Sequence, residues 1–289
     1  MARSIGPSDP VTLGRWALTA RLGQGSTAIV YRAVSDTGEI AAIKTMPPAV
    51  SPTGPVPLIR PSSRAALRRE GTVLSALAGV DGVNHLLEIE LGQLPFLALT
   101  YVDGPSLAEL LARRDRLDTA SAVSLAVQLA IVLAAVHRAG VVHGDVKPGN
   151  VILGPAGAVV VDFGAAAGLD AEATWAGHSL ISPAFLAPEL LEGRAPSTAT
   201  DVFGWATTVA VCASGRTPAG SLAGRTPLAL PPRVELLVRA AASSRPGERP
   251  TMDELASALI RPQRRIELPE LTRSAPAPPG QMTGQLRGR

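Results

Sequence analysis

Short runs rich in apolar and β-branched residues recur along the first hundred positions, and runs of this length predict strands. Turn-forming Gly, Pro and Asp residues separate the runs. The predicted strands cover residues 13–22, 29–34, 40–46, 86–91 and 95–102. A helix is predicted between the third and fourth strands, at residues 63–78, because Leu67, Leu74 and Leu77 recur at helical spacing.

Longer aliphatic and alanine-rich segments dominate the second half of the chain and predict a mainly helical region. The predicted helices are Leu107–Arg113, residues 120–139, a segment that begins at Asp201, residues 234–242 and Met252–Ile260. A strand–turn–strand unit is predicted within residues 141–164, where Gly154 and Gly157 bracket a turn before three valines. The stretch 215–232 is rich in Gly, Pro and Ala and gives no firm helix prediction.

The composition limits the possible architectures. The 289 residues are 46% hydrophobic and 18% charged, which is enough for a sizeable core in one large domain or two lobes. Aromatic residues make up only 3% of the chain, so the core is expected to be largely aliphatic. The net charge of +3 is spread along the chain rather than gathered in blocks, so we expect no nucleic-acid partner.

The sequence also bears on compartment. Cys212 is the only cysteine, so an intramolecular disulfide is impossible and a reducing cytoplasm is expected. The first ten residues, MARSIGPSDP, lack the apolar core of a signal peptide. The most apolar helical stretch, residues 120–136, carries Ser and Gln and is predicted to be a buried helix rather than a membrane span.

Three polar residues stand at the outer ends of the predicted strand–turn–strand unit. A hairpin of this kind brings Asp145, Asn150 and Asp162 to one edge. Two carboxylates and an amide there can hold a divalent metal ion and orient a hydroxyl group, which is what phosphoryl transfer needs. The only two lysines of the chain are Lys44 and Lys147, a bias typical of a GC-rich bacterial genome.

Residues 141–164, VVHGDVKPGNVILGPAGAVVVDFG, resemble the catalytic loop and metal-binding loop of eukaryotic-type (Hanks-type) protein kinases, with Gly144 where the family usually has arginine. Roughly residues 13–260 follow the family's order of motifs and resemble its bacterial serine/threonine members, and the set is more specific than any one motif. The other matching residues are Gly23 and Gly25 of a glycine-rich turn, Val30, Ala42, Lys44, Glu70, Ala187-Pro188-Glu189, Asp201 and Arg249.

This resemblance implies an α+β fold of two lobes, a small β-rich N-terminal lobe and a larger, mainly helical C-terminal lobe. Residues 12–103 would form the first lobe and residues 104–261 the second. Residues 1–11 are expected to be a loose N-terminus, and the Pro- and Arg-rich tail, residues 262–289, is expected to be disordered.

The resemblance also implies transfer of the γ-phosphoryl group of ATP to a Ser or Thr hydroxyl of a protein, with Mg²⁺ or Mn²⁺ as cofactor. Asp145 would orient the hydroxyl and accept its proton, and Lys147 would neutralise the γ-phosphate. Lys44, held by Glu70, would bind the α- and β-phosphates. The metal would lie on Asn150 and Asp162. The remaining nucleotide contacts would be Leu22, Gly23, Gly25, Ser26, Val30, Ala42, Leu99, Thr100, Tyr101 and Val102.

Further residues receive regulatory or structural roles from the resemblance. Residues 165–187 resemble the activation segment, in which Thr174, Ser179 and Ser182 are candidate autophosphorylation sites. Asp201 would hold the catalytic-loop backbone, and Arg249 would pair with Glu189.

Two other functions remain open at this point. Aminoglycoside-type phosphotransferases, which act on small molecules, share the His-Gly-Asp sequence found at residues 143–145 and the asparagine five positions on. Lys147 and the motifs at Glu189, Asp201 and Arg249 favour a protein kinase instead. A catalytically weak nucleotide-binding scaffold is the third hypothesis, and it is disfavoured because no catalytic position is lost.

Overall fold

The computed structural model describes residues 3–7, 9–25, 28–46, 61–168, 185–222 and 227–260. Within these ranges, an antiparallel sheet with one packed helix is followed by a mainly helical region. The predicted α+β class, with a small β-rich lobe followed by a larger, mainly helical lobe, is confirmed.

The sheet has six strands in the order β1-β2-β3-β4-β6-β5. The strands are β1 Thr12–Leu13, β2 Trp16–Gln24, β3 Ile29–Ser35, β4 Ile40–Thr45, β5 Leu86–Glu90 and β6 Phe96–Thr100. Along β3 the side chains alternate strictly between buried and half-buried, which is the pattern of a strand with one face on a core. Trp16, Tyr31, Ile43 and Phe96 fill that core.

The first helix, α1 (Pro61–Ala76), packs against β5 and β6. Leu67 and Leu74 lie fully buried, as their spacing predicts. The loop after α1 joins the helical region: Val83 pairs with Val160, and Val160 donates its N–H to Gly82 O at 2.8 Å. The loop that follows the helix is therefore fixed to the second lobe.

The helical region is built around two long helices. Its helices are α2 Leu107–Arg113, α3 Thr119–Arg138, α4 Pro188–Leu191, α5 Thr198–Ser214, α6 Pro218–Leu222, α7 Pro232–Ala241 and α8 Met252–Ile260. α3 packs against α5 and α8, and Trp205 on α5 donates its indole N–H to Ala126 O at 3.0 Å. The short α6 lies in the Gly-, Pro- and Ala-rich stretch where no helix was firmly predicted.

Local signals set the ends of these helices. Asp118 caps α3 by accepting the N–H of Ser121, and Ser106 with Glu109 forms a capping box at α2. Gly215 ends α5 in the left-handed conformation that glycine adopts without strain.

α3 is long and apolar enough to cross a membrane by length and composition alone. Half of its most apolar stretch of 18 residues is buried inside the protein, where Leu125, Leu129 and Leu133 are part of the core. The helix is therefore placed as the sequence predicts, within the core of the second lobe.

Two short strand pairs complete the described region. β7 (Val141–Val142) pairs with β10 (Ala167–Gly168), and β8 (Val151–Gly154) pairs with β9 (Gly157–Val160). The predicted strand–turn–strand unit is thus present, with Gly154 and Gly157 at its turn. Because β8 and β9 are adjacent and antiparallel, Asn150 and Asp162 lie at the same end of the hairpin.

The N-terminal residues differ from the loose segment expected from their Pro and Gly content. Arg3 and Arg21 exchange two backbone hydrogen bonds of 2.8 Å, and Ile5 packs against the core of the sheet. Asp9 also contacts the sheet, by an ion pair with Arg21. The cause is long-range pairing with the free edge of β2, which local composition does not reveal.

Candidate active site

Lys44 on β4 is buried and faces α1. Its Nζ donates to Glu70 Oε1 at 2.6 Å, so the residue pair expected from the motifs is brought together. The Glu70 side chain is 4% exposed. Burial and the nearby Asp162 carboxylate raise the pKa of Glu70. Burial acts to lower the pKa of Lys44, but the two carboxylates outweigh it, so the ammonium stays charged.

Asp162 reaches the same lysine from the other lobe. Its Oδ1 lies 2.6 Å from Lys44 Nζ, while 48% of the side chain remains exposed to the cleft. Burial acts to raise the pKa of Asp162, but the charge of Lys44 outweighs it and lowers the pKa to about 2. Asp162 has a φ of 67°, which is uncommon for a residue with a side chain and favours a functional constraint on its orientation.

Asp145, Lys147 and Asn150 form a second cluster in the loop after β7. Lys147 Nζ lies 2.5 Å from Asp145 Oδ2. Asn150 Nδ2 donates to the backbone oxygen of Asp145 at 2.9 Å and to its carboxylate at 3.0 Å. These bonds fix the Asp145 carboxylate in one orientation, as a base that accepts a proton from a bound hydroxyl requires.

The loop that carries Asp145 is anchored to α5. Asp201 is fully buried and accepts the backbone N–H of His143 at 2.8 Å and that of Gly144 at 2.7 Å. His137, at the end of α3, places its Nε2 2.9 Å from the same carboxylate. Asp201 therefore holds the catalytic-loop backbone, the contact that its place in the motif order suggested.

His143 connects this loop to the segment that carries Asp162. Its Nδ1 accepts the N–H of Asp145 at 3.2 Å, and its Nε2 lies 3.1 Å from Val161 O. The ring also lies 4.7 Å from the ring of Phe163, centroid to centroid. One buried imidazole thus links the loop that carries Asp145 to the segment that carries Asp162.

The donor set fits a magnesium ion held by few protein ligands. Asn150 uses its amide nitrogen on Asp145, which leaves its amide oxygen as the atom that a metal would take. Asp162 supplies a half-exposed carboxylate of low pKa. Mg²⁺ prefers such a site, because it keeps waters and binds substrate phosphates in addition to one or two protein groups.

The walls expected around a nucleotide come from the sheet. Ala42 pairs with Leu99, and Val30 pairs with Lys44, so these residues lie at adjoining positions. Thr100 donates its N–H to His85 O at 2.9 Å, so that amide is not available to an adenine. Tyr101 and Val102 follow directly in the connection to α2.

The glycine-rich turn lies between β2 and β3. Gly23 pairs with Val30, and Gly25 donates its N–H to Ala28 O at 2.8 Å. Leu22 has no partner on β3, because the register shifts there by one residue. Ser26, another expected nucleotide contact, lies outside the described residues.

Glu189, of the Ala187-Pro188-Glu189 motif, forms the ion pair that the resemblance implies. Arg249 donates to the two carboxylate oxygens of Glu189 at 2.7 and 2.8 Å, with both side chains buried. Burial acts to raise the pKa of Glu189, but the hydrogen bonds and charge of Arg249 lower it. The candidate phosphorylation sites Thr174, Ser179 and Ser182 lie outside the described residues.

Sequence reasoning missed two features of the site. It assigned Lys44 and Asp162 to ATP and metal but did not anticipate their direct contact, which joins residues 118 positions apart. It also missed a cluster of Asp9, Arg21 and Gln24 beside the glycine-rich turn. The available signal for this cluster is weak: Arg21 and Gln24 stand beside the two glycines in the sequence, but Asp9 lies twelve positions before Arg21.

Comparison with known proteins agrees with this geometry. The sequence model of the protein kinase domain matches residues 16–258. The chain is 30% identical over 271 residues to the probable serine/threonine-protein kinase PkwA of Thermomonospora curvata. The aligned region covers 90% of this chain and 36% of that protein. It is 29% identical over 274 residues to the serine/threonine-protein kinase PkaA of Streptomyces coelicolor, covering 85% of this chain and 49% of that protein.

The serine/threonine-protein kinase PknK of Mycobacterium tuberculosis is 34% identical over 198 residues, 67% of this chain and 17% of that protein. The chain thus spans half or less of the length of these relatives. The match of the family model extends from β2 to the last described helix and includes every motif discussed above. The chain therefore belongs to the protein kinase domain family.

Proposed function

We propose that the protein is an ATP-dependent serine/threonine protein kinase. The observation that carries the proposal is the meeting of Lys44, from the sheet, with Asp162, from the second lobe, at 2.6 Å. It joins a phosphate-binding cation of one lobe to a metal-binding carboxylate of the other. The named relatives, all serine/threonine-protein kinases, support the same activity.

Each of the following site residues has a role in the transfer. Lys44, oriented by Glu70, binds the α- and β-phosphates of ATP, while the glycine-rich turn covers them. The bond from the γ-phosphorus to its bridging oxygen breaks, and a new bond to the substrate hydroxyl oxygen forms. Asp145 takes the hydroxyl proton, Lys147 stabilises charge on the transferred group, and ADP leaves.

Magnesium is the proposed cofactor, with Asn150 and Asp162 as its protein ligands. When bound, it would neutralise charge on the phosphates. Both residues lie at the same end of the β8–β9 hairpin, so the fold of the protein itself brings the two ligands to one place. Manganese has the same preference for oxygen ligands and is the expected substitute.

The proposed partner is a protein with an accessible Ser or Thr, and Thr174, Ser179 and Ser182 are proposed sites of autophosphorylation. The buried Glu189–Arg249 pair supports a protein substrate over an aminoglycoside, since this pair is part of the resemblance to protein kinases. A cytoplasmic location fits the single cysteine, Cys212, which is buried.

The test is mass spectrometry of the purified protein after incubation with Mg-ATP, with and without a protein rich in Ser and Thr. A parallel incubation replaces that protein by a panel of aminoglycosides. We expect phosphate on protein Ser or Thr and none on the antibiotics. Asp145→Asn should abolish the signal, and Asp81→Asn, an exposed aspartate outside the site, should not. Phosphorylated antibiotic without phosphorylated protein would overturn the proposal.

A further inference from the structure

The residues before β2 form an arm along the outer edge of that strand. We define the N-terminal arm as the described residues among 3–13. It reaches Arg21 through the two backbone bonds of Arg3, and Val11 O accepts the N–H of Leu18 at 2.9 Å. The arm therefore follows β2 up to the point where the glycine-rich turn begins.

Asp9 is the polar centre of this arm. Its carboxylate is 3% exposed, and it accepts the hydroxyl of Tyr31 at 2.7 Å and the N–H of Gly6 at 2.8 Å. Arg21 donates to the same carboxylate from β2. Burial acts to raise the pKa of Asp9, but these hydrogen bonds lower it, so the group is ionised.

Arg21 connects Asp9 to the glycine-rich turn. Its Nη1 donates to Gln24 Oε1 at 2.7 Å, and Gln24 lies between Gly23 and Gly25. The unpaired residue of the bulge, Leu22, falls between Arg21 and Gln24. A bulge re-aims the chain, and the side-chain bond across it fixes the direction in which the turn leaves the strand.

We propose that Asp9 and Gln24 are positioning residues for the nucleotide, acting through Arg21 on the glycine-rich turn. Glycines let the turn approach phosphates, but they also leave it free to take many conformations. The bonds from Asp9 to Arg21 and from Arg21 to Gln24 restrict the turn before ATP binds. This role rests on the proposed kinase function, because it requires that the turn covers ATP.

The test compares steady-state kinetics and direct binding of a fluorescent ATP analogue for the wild type, Asp9→Asn and Gln24→Ala. Gln24 is exposed, so its loss leaves the fold intact. One hydrogen bond is worth about 0.5–1.5 kcal/mol. We therefore expect the KM for ATP and the Kd of the analogue to rise roughly three- to tenfold, at the conversion of 1.4 kcal/mol per tenfold change. The kcat at saturating ATP should change less than twofold, roughly, because Lys44, Asp145 and Asp162 are untouched.

Matched controls separate this role from general stability. Arg15→Ala removes an exposed, ion-paired arginine from the same sheet, and Asp36→Asn neutralises an exposed aspartate in the β3–β4 turn. Both should keep the wild-type KM. An unchanged KM and Kd in Gln24→Ala and Asp9→Asn, with an active wild type, would overturn the positioning role alone. A wild type that neither binds the analogue nor transfers phosphate would overturn the proposed function together with this role.

Discussion

Gly144 donates its backbone N–H to Asp201 at 2.7 Å while holding a φ of +79°. The buried carboxylate thus fixes a left-handed backbone one residue before Asp145. A Cβ at this position would lie 3.0 Å from Ala165 O, closer than an ordinary contact. Glycine meets both requirements of the site, the backbone conformation and the space.

We expect Gly144→Ala to destabilise the protein by more than the roughly 1 kcal/mol that left-handed backbone costs an alanine. Urea unfolding measures the free energy. Gly140→Ala is the matched control, because Gly140 has a φ of +76° with no atom within 4 Å of the added Cβ. Equal losses in the two variants would show that the contact with Ala165 relaxes without cost.

Lys44→Ala should lower kcat by on the order of 10²–10³-fold or more, since it removes the cation that we propose binds the phosphates. The combination of Lys44→Glu with Glu70→Arg should restore little activity, because a charge exchange preserves the pair but moves the cation to α1.

The exchange has an internal comparison in Arg138 and Asp253, an exposed ion pair of the second lobe. Arg138→Asp combined with Asp253→Arg should leave turnover near that of the wild type. Strong activity in the Lys44–Glu70 exchange would mean that the buried pair only tethers α1 to the sheet.

Glu189→Gln should destabilise the protein at neutral pH by about 3 kcal/mol, because it leaves Arg249 buried without a counter-charge. Folding lowers the pKa of Glu189 below its ordinary value of 4.5. Its contribution is therefore complete above pH 4.5 and is lost as the pH falls through the lower, folded pKa. The free-energy difference between variant and wild type should shrink in that acid range.

Glu192→Gln supplies the comparison, because Glu192 pairs with Arg194 at the exposed surface. Its effect should stay below about 1 kcal/mol at neutral pH. A difference for Glu189→Gln that persists unchanged at pH 3 would contradict the electrostatic origin of its stabilisation.

Activity should depend only weakly on phosphorylation of the activation segment. In kinases with arginine in place of Gly144, a phosphate on that segment neutralises the guanidinium and orders the loop. Gly144 offers no such partner. We expect phosphatase treatment, or Thr174→Ala with Ser179→Ala, to lower turnover on one protein substrate by less than tenfold, about 1.4 kcal/mol of barrier. A larger loss in either preparation would contradict the argument from Gly144.

The elements and most site contacts could be predicted because their determinants are local or belong to an ordered set of motifs. The alternation in β3 and the leucine spacing of α1 gave both elements to within about two residues. Lys44 and Glu70 were paired correctly because each has a defined place in the motif order.

The remaining contacts depend on distances that sequence alone does not contain. The Lys44–Asp162 bond requires the relative placement of two lobes, and neither residue type specifies it. Asp9 meets Arg21 because the described residues of the N-terminal arm follow the free edge of β2, whereas the Pro and Gly content of this segment favoured a loose chain. Tertiary pairing overrode local composition in this segment.

The attachment of Gly82 and Val83 to Val160 ties the loop that follows α1 to the second lobe, and α1 itself packs against residues 163–165 of that lobe. Glu70 precedes the last residue of the helix by six positions, roughly 9 Å along the axis. A tilt of about ten degrees about the end of the helix would therefore displace Glu70 by about 1.5 Å, which is enough to break its 2.6 Å contact with Lys44. The contact between Lys44 and Glu70 therefore depends on how the two lobes hold this one helix, and not only on the residues of the cleft.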